Sequence, residues 1–333
     1  MSASARTRVG VVGAGNIASI AQLPTLVKRD DVELAALVSR RPDPGALMRR
    51  WGFRASYPTV EDMLSAESLD AVFVLTPRSE HAHAVEACLR RDVDVFCEKP
   101  LAPALEEATR LAELADERGR ILMIDFNRRY APVYVAGREI FGSAGATFCV
   151  AQKNRRGSEY RATFENAIHM VDLLRWYCGG EAVEVTAHAA GSNRWEEDGT
   201  AAMIRFDSGN IGTLMAARTA GAWIEKLDAY GAGRSAEVRA PESVSMTVDG
   251  TTTRRELSSE AFGWVTATET LGFAKAVHHF LDRIADRQQP LTSGRDAVAT
   301  QRLLNQILEA AGLPTREQEG RGWVSHATNA VQK

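Results

Sequence analysis

Cysteine is scarce. The chain of 333 residues holds four, Cys88, Cys97, Cys149 and Cys178, far apart, with no C-x-x-C pair and no histidine at ligand spacing. That distribution argues against a disulfide framework and against a zinc site, so no metal is expected. Charge of one sign is equally lacking: 40 lysines and arginines face 43 acids, for a formal net charge of -3 and a sequence pI near 6.2. Neither nucleic acid nor an anionic membrane surface has an electrostatic case as a partner. No window reaches the apolar length of a membrane span, and Met1 to Arg8 lacks the apolar core of a signal peptide, so the expected compartment is the cytoplasm. Repeats and low-complexity segments are missing as well. Of the few histidines, His81 and His83 are two apart and His278 and His279 adjacent; neither pair shares a helix face, and surface positions are expected.

What the sequence does have begins at Val9. An apolar run leads into Gly13-Ala14-Gly15-Asn16-Ile17-Ala18, a strand, a tight turn and a helix start. Glycine at 13 permits the turn, glycine at 15 lets backbone approach a pyrophosphate, and Ala18 lets helix and strand pack closely. Onward to Ile124, strand-like runs alternate with amphipathic stretches. Strands are predicted over 6–12, 32–38, 71–75, 93–97 and 121–124, and helices over 17–28, 43–51, 60–66, 79–90 and 105–118. This is the pattern of a doubly wound parallel sheet. After Pro132 the order changes to helices through 140 and over 164–178, with a strand at 147–151 between them. Strands then dominate at 183–190, 201–206, 211–218, 225–231, 236–239, 244–248 and 252–257, as in an antiparallel sheet. Two helices, 268–286 and 293–310, follow, and the polar tail from 314 to 333 is expected to be loose. The fold class is thus α/β: a Rossmann domain over 1–125, then an α+β domain over 126–333 for substrate and oligomer contacts. Helices within 268–310 are expected to pack back toward the first domain.

The end of the second strand reads Val38-Ser39-Arg40-Arg41. An acid there would bind the ribose hydroxyl of NAD, whereas a hydroxyl followed by guanidinium groups suits a 2'-phosphate. NADP is the expected cofactor, with NAD as the alternative. Thr76-Pro77-Arg78-Ser79-Glu80-His81 follows the fourth strand, and Glu98-Lys99-Pro100 follows the fifth. Ligands of such sheets bind at those carboxyl ends.

These residues resemble the Gfo/Idh/MocA family, which includes glucose-fructose oxidoreductase and inositol dehydrogenase, and within it the MviM-like dehydrogenases. The likeness rests on the glycine loop, on a T-P-x-x-x-H stretch ending at His81, and most specifically on E-K-P at Glu98-Lys99-Pro100. Phe126-Asn127-Arg128-Arg129-Tyr130 resembles the family's F-N-R-R-F, and the helix from Thr163 to Asp172 resembles its D-x-x-x-H helix. The resemblance implies hydride transfer between NAD(P) and a secondary alcohol or ketone of a sugar, cyclitol or sugar acid. Lys99 would hydrogen-bond the reacting oxygen and His169 would exchange its proton. The cofactor would be held by Gly13, Gly15, Asn16, Ile17, Ser39, Arg40, Arg41, Thr76, Pro77, His81, Glu98 and Lys99.

Two positions depart from the family pattern. Its aspartate four residues before the histidine is Glu165, and a glycine common before F-N-R-R is Asp125. Glu165 and His169 are expected to share a helix face, the carboxylate supporting the imidazole as a third catalytic group. Lys99, Arg128, Asn166, His169 and Tyr160 are the candidate substrate contacts, and Lys153, Arg155 and Arg156 are read as a polar loop before the helix. A homodimer or homotetramer through the C-terminal sheet is expected. The rival readings are a catalytically silent NADP-binding sensor or scaffold and an NAD-dependent glycosidase-type activity.

Overall fold

The computed structural model describes residues 6–41, 43–157, 161–256 and 266–316. The alternating first part forms β1 (Thr7–Val12), α1 (Asn16–Ile20), α2 (Leu23–Leu26), β2 (Val32–Val38), α3 (Gly45–Trp51), β3 (Ala55–Tyr57), α4 (Val60–Ala66), β4 (Ala71–Val74), α5 (His81–Arg90), β5 (Asp94–Cys97), α6 (Leu105–Glu117) and β6 (Leu122–Ile124). The strands line up as β3-β2-β1-β4-β5-β6, every pair parallel. The order reverses beside β1, which opens a crevice at the carboxyl ends of β1 and β4. Helices on both faces explain why β4 and β5 are apolar at nearly every position: Val72, Phe73, Val74, Val95 and Phe96 are fully buried.

Two local differences from the sequence reading have simple causes. The helix expected over 17–28 is broken into α1 and α2, because Pro24 falls in the first turn of α2 and can begin a helix but not continue one. β3 was not expected; three half-buried residues that add to β2 are too few to show a period.

The second part opens with a 3-10 turn (Asn127–Tyr130) and α7 (Pro132–Glu139), then β7 (Phe148–Asn154), a π-helical turn (Ala162–Ala167) and α8 (Ile168–Cys178). Seven strands follow: β8 (Ala182–Ala190), β9 (Gly199–Phe206), β10 (Ile211–Ala217), β11 (Ile224–Gly231), β12 (Arg234–Arg239), β13 (Ser243–Val248) and β14 (Thr251–Glu256). They make an eight-stranded sheet in the order β14-β13-β12-β11-β7-β10-β9-β8, antiparallel except for β7 with β10. Alternate residues such as Ala202, Ile204 and Phe206 of β9 turn inward toward α8 and the core. Their neighbours turn out, leaving Met203 58% and Met215 44% exposed. Leu257, the last residue of the strand expected over 252–257, and the tail beyond residue 316 lie outside the described residues.

Three further helices, α9 (Ala267–Thr270), α10 (Phe273–Asp286) and α11 (Gly294–Ala310), return to the first sheet. Phe280 of α10 packs against the stacked pair Phe73 and Phe96, with its ring centroid 5.3 and 5.5 Å from theirs. Just before α11, the Ile124 amide of β6 donates to the Thr292 carbonyl at 2.9 Å. The helix expected over 268–286 is interrupted at Gly272, which has φ +86°; a side chain there would run into the Asn127 carbonyl and the Ala131 amide. Only glycine accommodates both the conformation and the contact.

Candidate active site

The crevice is walled on one side by loops of the parallel sheet. Gly13 has φ +88°, donates its amide to the Val38 carbonyl at 3.0 Å, and has no room for a Cβ, which would meet Leu75 O and Thr76 Cγ2 at 3.0 Å. Gly15 is the opposite case: nothing lies within 4 Å of where its Cβ would be. Bare backbone at the start of α1 thus faces open space, with Asn16 and Ile17 exposed beside it. Beside Gly13, the Thr76 hydroxyl is buried without a hydrogen-bond partner among the described residues. An open cradle, a helix start and an unsatisfied hydroxyl fit a dinucleotide pyrophosphate.

At the outer end, Ser39 bonds to Tyr57 through its amide, and the Arg41 amide reaches the Ser39 hydroxyl at 3.3 Å. Arg40 is exposed and pairs with Glu80 at 2.8 Å, an ion pair that a phosphate could displace at a cost of about 1 kcal/mol or less. Pro77 separates Thr76 from the 3-10 turn Arg78–Glu80. His81 corrects two expectations, since it neither lies on the surface nor faces the crevice. Its ring is buried, with Nδ1 2.7 Å from the Pro100 carbonyl and Nε2 2.9 Å from the Thr76 carbonyl. It staples together the two loops that line the site. His278 and His279 are likewise partly covered: Arg29 donates to His278 Nδ1, and the Leu291 amide donates to His279 Nε2.

Beneath the E-K-P turn, the Gln22 side-chain amide donates to Glu98 Oε1 and to Asp125 Oδ2, both at 2.8 Å. Burial and the neighbouring Glu98 charge hold the Asp125 carboxyl well above the usual carboxylate range. Its surroundings therefore favour the protonated carboxyl beside Glu98. Lys99 projects beyond this pair, half-buried, and its Nζ lies 3.4 Å from the Glu165 carbonyl. Burial lowers the pKa of its ammonium, while Glu98 and Glu165 pull it back up.

That contact joins the first wall to the second, whose centre is the π turn and α8. Glu197 accepts the Thr163 amide at 3.0 Å and Arg161 Nε at 3.2 Å, fixing the entry to the turn. One turn into α8, Asp172 takes a bidentate bond from Arg129 at 2.8 and 2.7 Å and a third from Thr300 at 3.0 Å. The helix is thereby anchored to the segment after β6 and to α11. His169 stands between these fixed points, 7% exposed, with its ring edge-on to Phe126 at 6.3 Å. Burial holds its imidazole well below the usual range, reinforced by the charges of Lys153, Arg128, Lys99 and Arg155. These surroundings disfavour the imidazolium form.

Several expected contacts are redirected. Glu165 does not support the imidazole: its carboxylate accepts the Arg161 amide at 2.6 Å and pairs with Arg78. The four-residue spacing assumed an α-helix, whereas the wider π turn rotates residue 165 away. Asn166 is committed to protein, donating to the Lys153 carbonyl and accepting from Arg155, each at 3.1 Å. Lys153 is no loop residue but part of β7, and it is 1% exposed. It meets Glu225 at 3.0 Å, and Arg128 binds the same carboxylate at 2.8 and 3.1 Å. Arg156 is exposed, Arg155 stacks on Trp223 at 4.5 Å, and Tyr160 lies outside the described residues. Glu225 and Asp172 are the members that sequence reasoning missed. The first is found only through the β7–β11 register, in which Glu225 stands opposite Lys153; the second was visible in the helix motif but had no partner assigned.

Fold and crevice together define an NAD(P)-binding oxidoreductase. Residues 7–126 match the model of the oxidoreductase family with an NAD-binding Rossmann fold, and residues 149–237 match the GFO/IDH/MocA C-terminal domain. The oxidoreductase YceM of Salmonella typhimurium is 30% identical over 312 residues, covering 90% of this chain and 96% of that protein. An inositol 2-dehydrogenase of Rhizobium meliloti is 25% identical, covering 88% and 93%. Among solved structures, a dehydrogenase (MviM) from Clostridium difficile superimposes with a TM-score of 0.80 at 20% identity, covering 91% and 99%, and shares the fold. The chain belongs to the Gfo/Idh/MocA family, as a dehydrogenase acting on CH–OH groups. No helix among the described residues is long and apolar enough to cross a membrane.

Proposed function

We propose that this dehydrogenase prefers NADP and interconverts a secondary alcohol and its ketone on a sugar, cyclitol or sugar acid. The observation that carries the reading is the meeting of Lys99 with the turn that leads into His169, beside the open glycine cradle. When bound, the nicotinamide supplies the hydride acceptor or donor. Gly13, Gly15 and Thr76 would hold the pyrophosphate, and Ser39, Arg40 and Arg41 the ribose end. The Lys99 ammonium stabilises negative charge on the reacting oxygen, and neutral His169 accepts the hydroxyl proton during oxidation and returns it during reduction. The inositol 2-dehydrogenases among the relatives support a polyol substrate.

The boundary we favour puts residues 1–125 in the cofactor domain and 126–333 in the substrate domain. The outward face of the eight-stranded sheet, with Met203, Met215 and Tyr230 exposed, suits contact between copies in a homodimer or homotetramer.

A panel of sugars, cyclitols and sugar acids, screened by NADP+ and NAD+ reduction, tests the reading together with Lys99→Met and His169→Ala. Each variant should still bind NADPH and lose about 10²-fold or more in kcat. Near-normal turnover in either variant removes that residue from the chemistry.

A further inference from the structure

The charge on β7 and β11, beside the turn that enters α8, is uneven. Glu225 is one carboxylate, yet it pairs with two cations, Arg128 through both oxygens and Lys153 at 3.0 Å, while the Tyr134 hydroxyl donates at 3.3 Å. All four side chains are buried. With Lys153 protonated, the cluster holds one positive charge in excess. Lys153 and Glu225 are partners in the β7–β11 register, so the sheet itself fixes where that charge stands. Asn166 fastens the Lys153 carbonyl to the turn entering α8, which ties the cluster to the helix that carries the histidine.

We propose that Lys153 is a positioning residue for the dehydrogenation: its ammonium, backed by Arg128 and Glu225, keeps His169 free of a proton and so ready to accept one from the substrate hydroxyl. Lys153 acts through the histidine and needs no contact with substrate. The inference rests on His169 being the acid–base group.

The charges that act on the His169 imidazole sit on several elements. Lys153 and Arg155 come from β7 and its end, Arg128 from the 3-10 turn, and Lys99 from the loop after β5, with Glu225 of β11 behind the first of them. Glu165, on the histidine's own helical segment, is taken up by Arg78 and the Arg161 amide. Burial, against the pull of Glu225, pushes the Lys153 ammonium down to about 7. The excess charge is therefore present below neutrality, the range in which an ordinary imidazole takes up its proton. Above neutrality Lys153 is uncharged, and the histidine no longer needs it.

The test follows the titration of His169 by NMR in protein carrying isotope-labelled histidine, with the signal assigned by its loss in His169→Ala. In Lys153→Met the midpoint should rise by about one pH unit or more. The acid limb of alcohol oxidation should rise with it, and Lys153→Arg should hold both near their original places. An unmoved midpoint in Lys153→Met overturns the proposal, and Lys153→Gln gives the same readout if the methionine variant does not fold. The two readings separate cleanly. A raised midpoint with normal turnover in His169→Ala supports the charge device and removes the catalytic role of the histidine. An unmoved midpoint with an inactive His169→Ala does the reverse.

Discussion

The wall of the crevice formed by β1, β4 and β5 offers mostly backbone, whereas the wall formed by α8, β7 and β11 is made of buried charge. On the first, Gly13 and Gly15 matter for the side chains they lack, and the ion pair of Arg40 is exposed. On the second, Arg128, Lys153, Glu225, Arg129 and Asp172 are removed from water and satisfied only by one another and their neighbours. A backbone cradle depends on conformation and tolerates changes around it. A buried charge array stands or falls with its pairing, since one partner removed leaves the other stranded.

The largest expected effect breaks the second wall. Asp172→Ala deprives Arg129 of its bidentate partner and should cost about 3 kcal/mol of stability, with Asp296, 2.9 Å from Arg129, limiting the loss. Denaturant unfolding measures it. A loss within the range of a surface substitution would mean that the charges are incidental and the two walls alike.

On the first wall the same kind of change should leave stability alone and alter only ligand choice. Arg40→Asp replaces an exposed cation, and by removing one charged hydrogen bond to a 2'-phosphate it should weaken NADPH binding roughly ten- to a hundredfold while favouring NADH. Calorimetric titration of both nucleotides checks the shift. Equal affinities in the parent protein would withdraw the NADP preference.

The smallest effect sharpens the contrast at Asp125, a buried carboxyl placed under the backbone wall. Its folded pKa is raised, so between the unfolded and folded values folding takes up a proton; the associated stability is full below the unfolded pKa and is lost as pH rises through the folded value. Asp125→Asn should therefore give a small gain in Tm near neutral pH that fades toward the ordinary carboxylate range. A loss of Tm at neutral pH instead would show that the acid itself is needed by Glu98 and Gln22.

The same contrast explains what the sequence made legible. The backbone wall is local: glycines, strand runs and the E-K-P turn lie next to the residues they serve, so the parallel sheet and the place of Lys99 could be read directly. His169 was put forward through its helix motif. The charge wall depends on pairings between distant segments, and there the reading failed in particular ways. Lys153 was placed in a loop because its strand runs three residues past the apolar stretch, and Glu225 had no local signal at all. Glu165 was given an α-helical face that the π turn does not provide. His81 belonged to a recognised motif, yet its two carbonyl partners come from separate loops.

The β6 edge has a consequence for the order in which the protein is made. Its outer hydrogen bonds are completed by Thr292, and the stacked rings of Phe73 and Phe96 are covered by Phe280, both supplied by chain that leaves the ribosome long after the six strands have emerged. The nascent parallel sheet therefore waits with an open strand edge and an uncovered aromatic pair while the whole antiparallel sheet is synthesised. That interval is when the chain is most exposed to edge-to-edge association with another copy, and when a chaperone has the most apolar surface to hold.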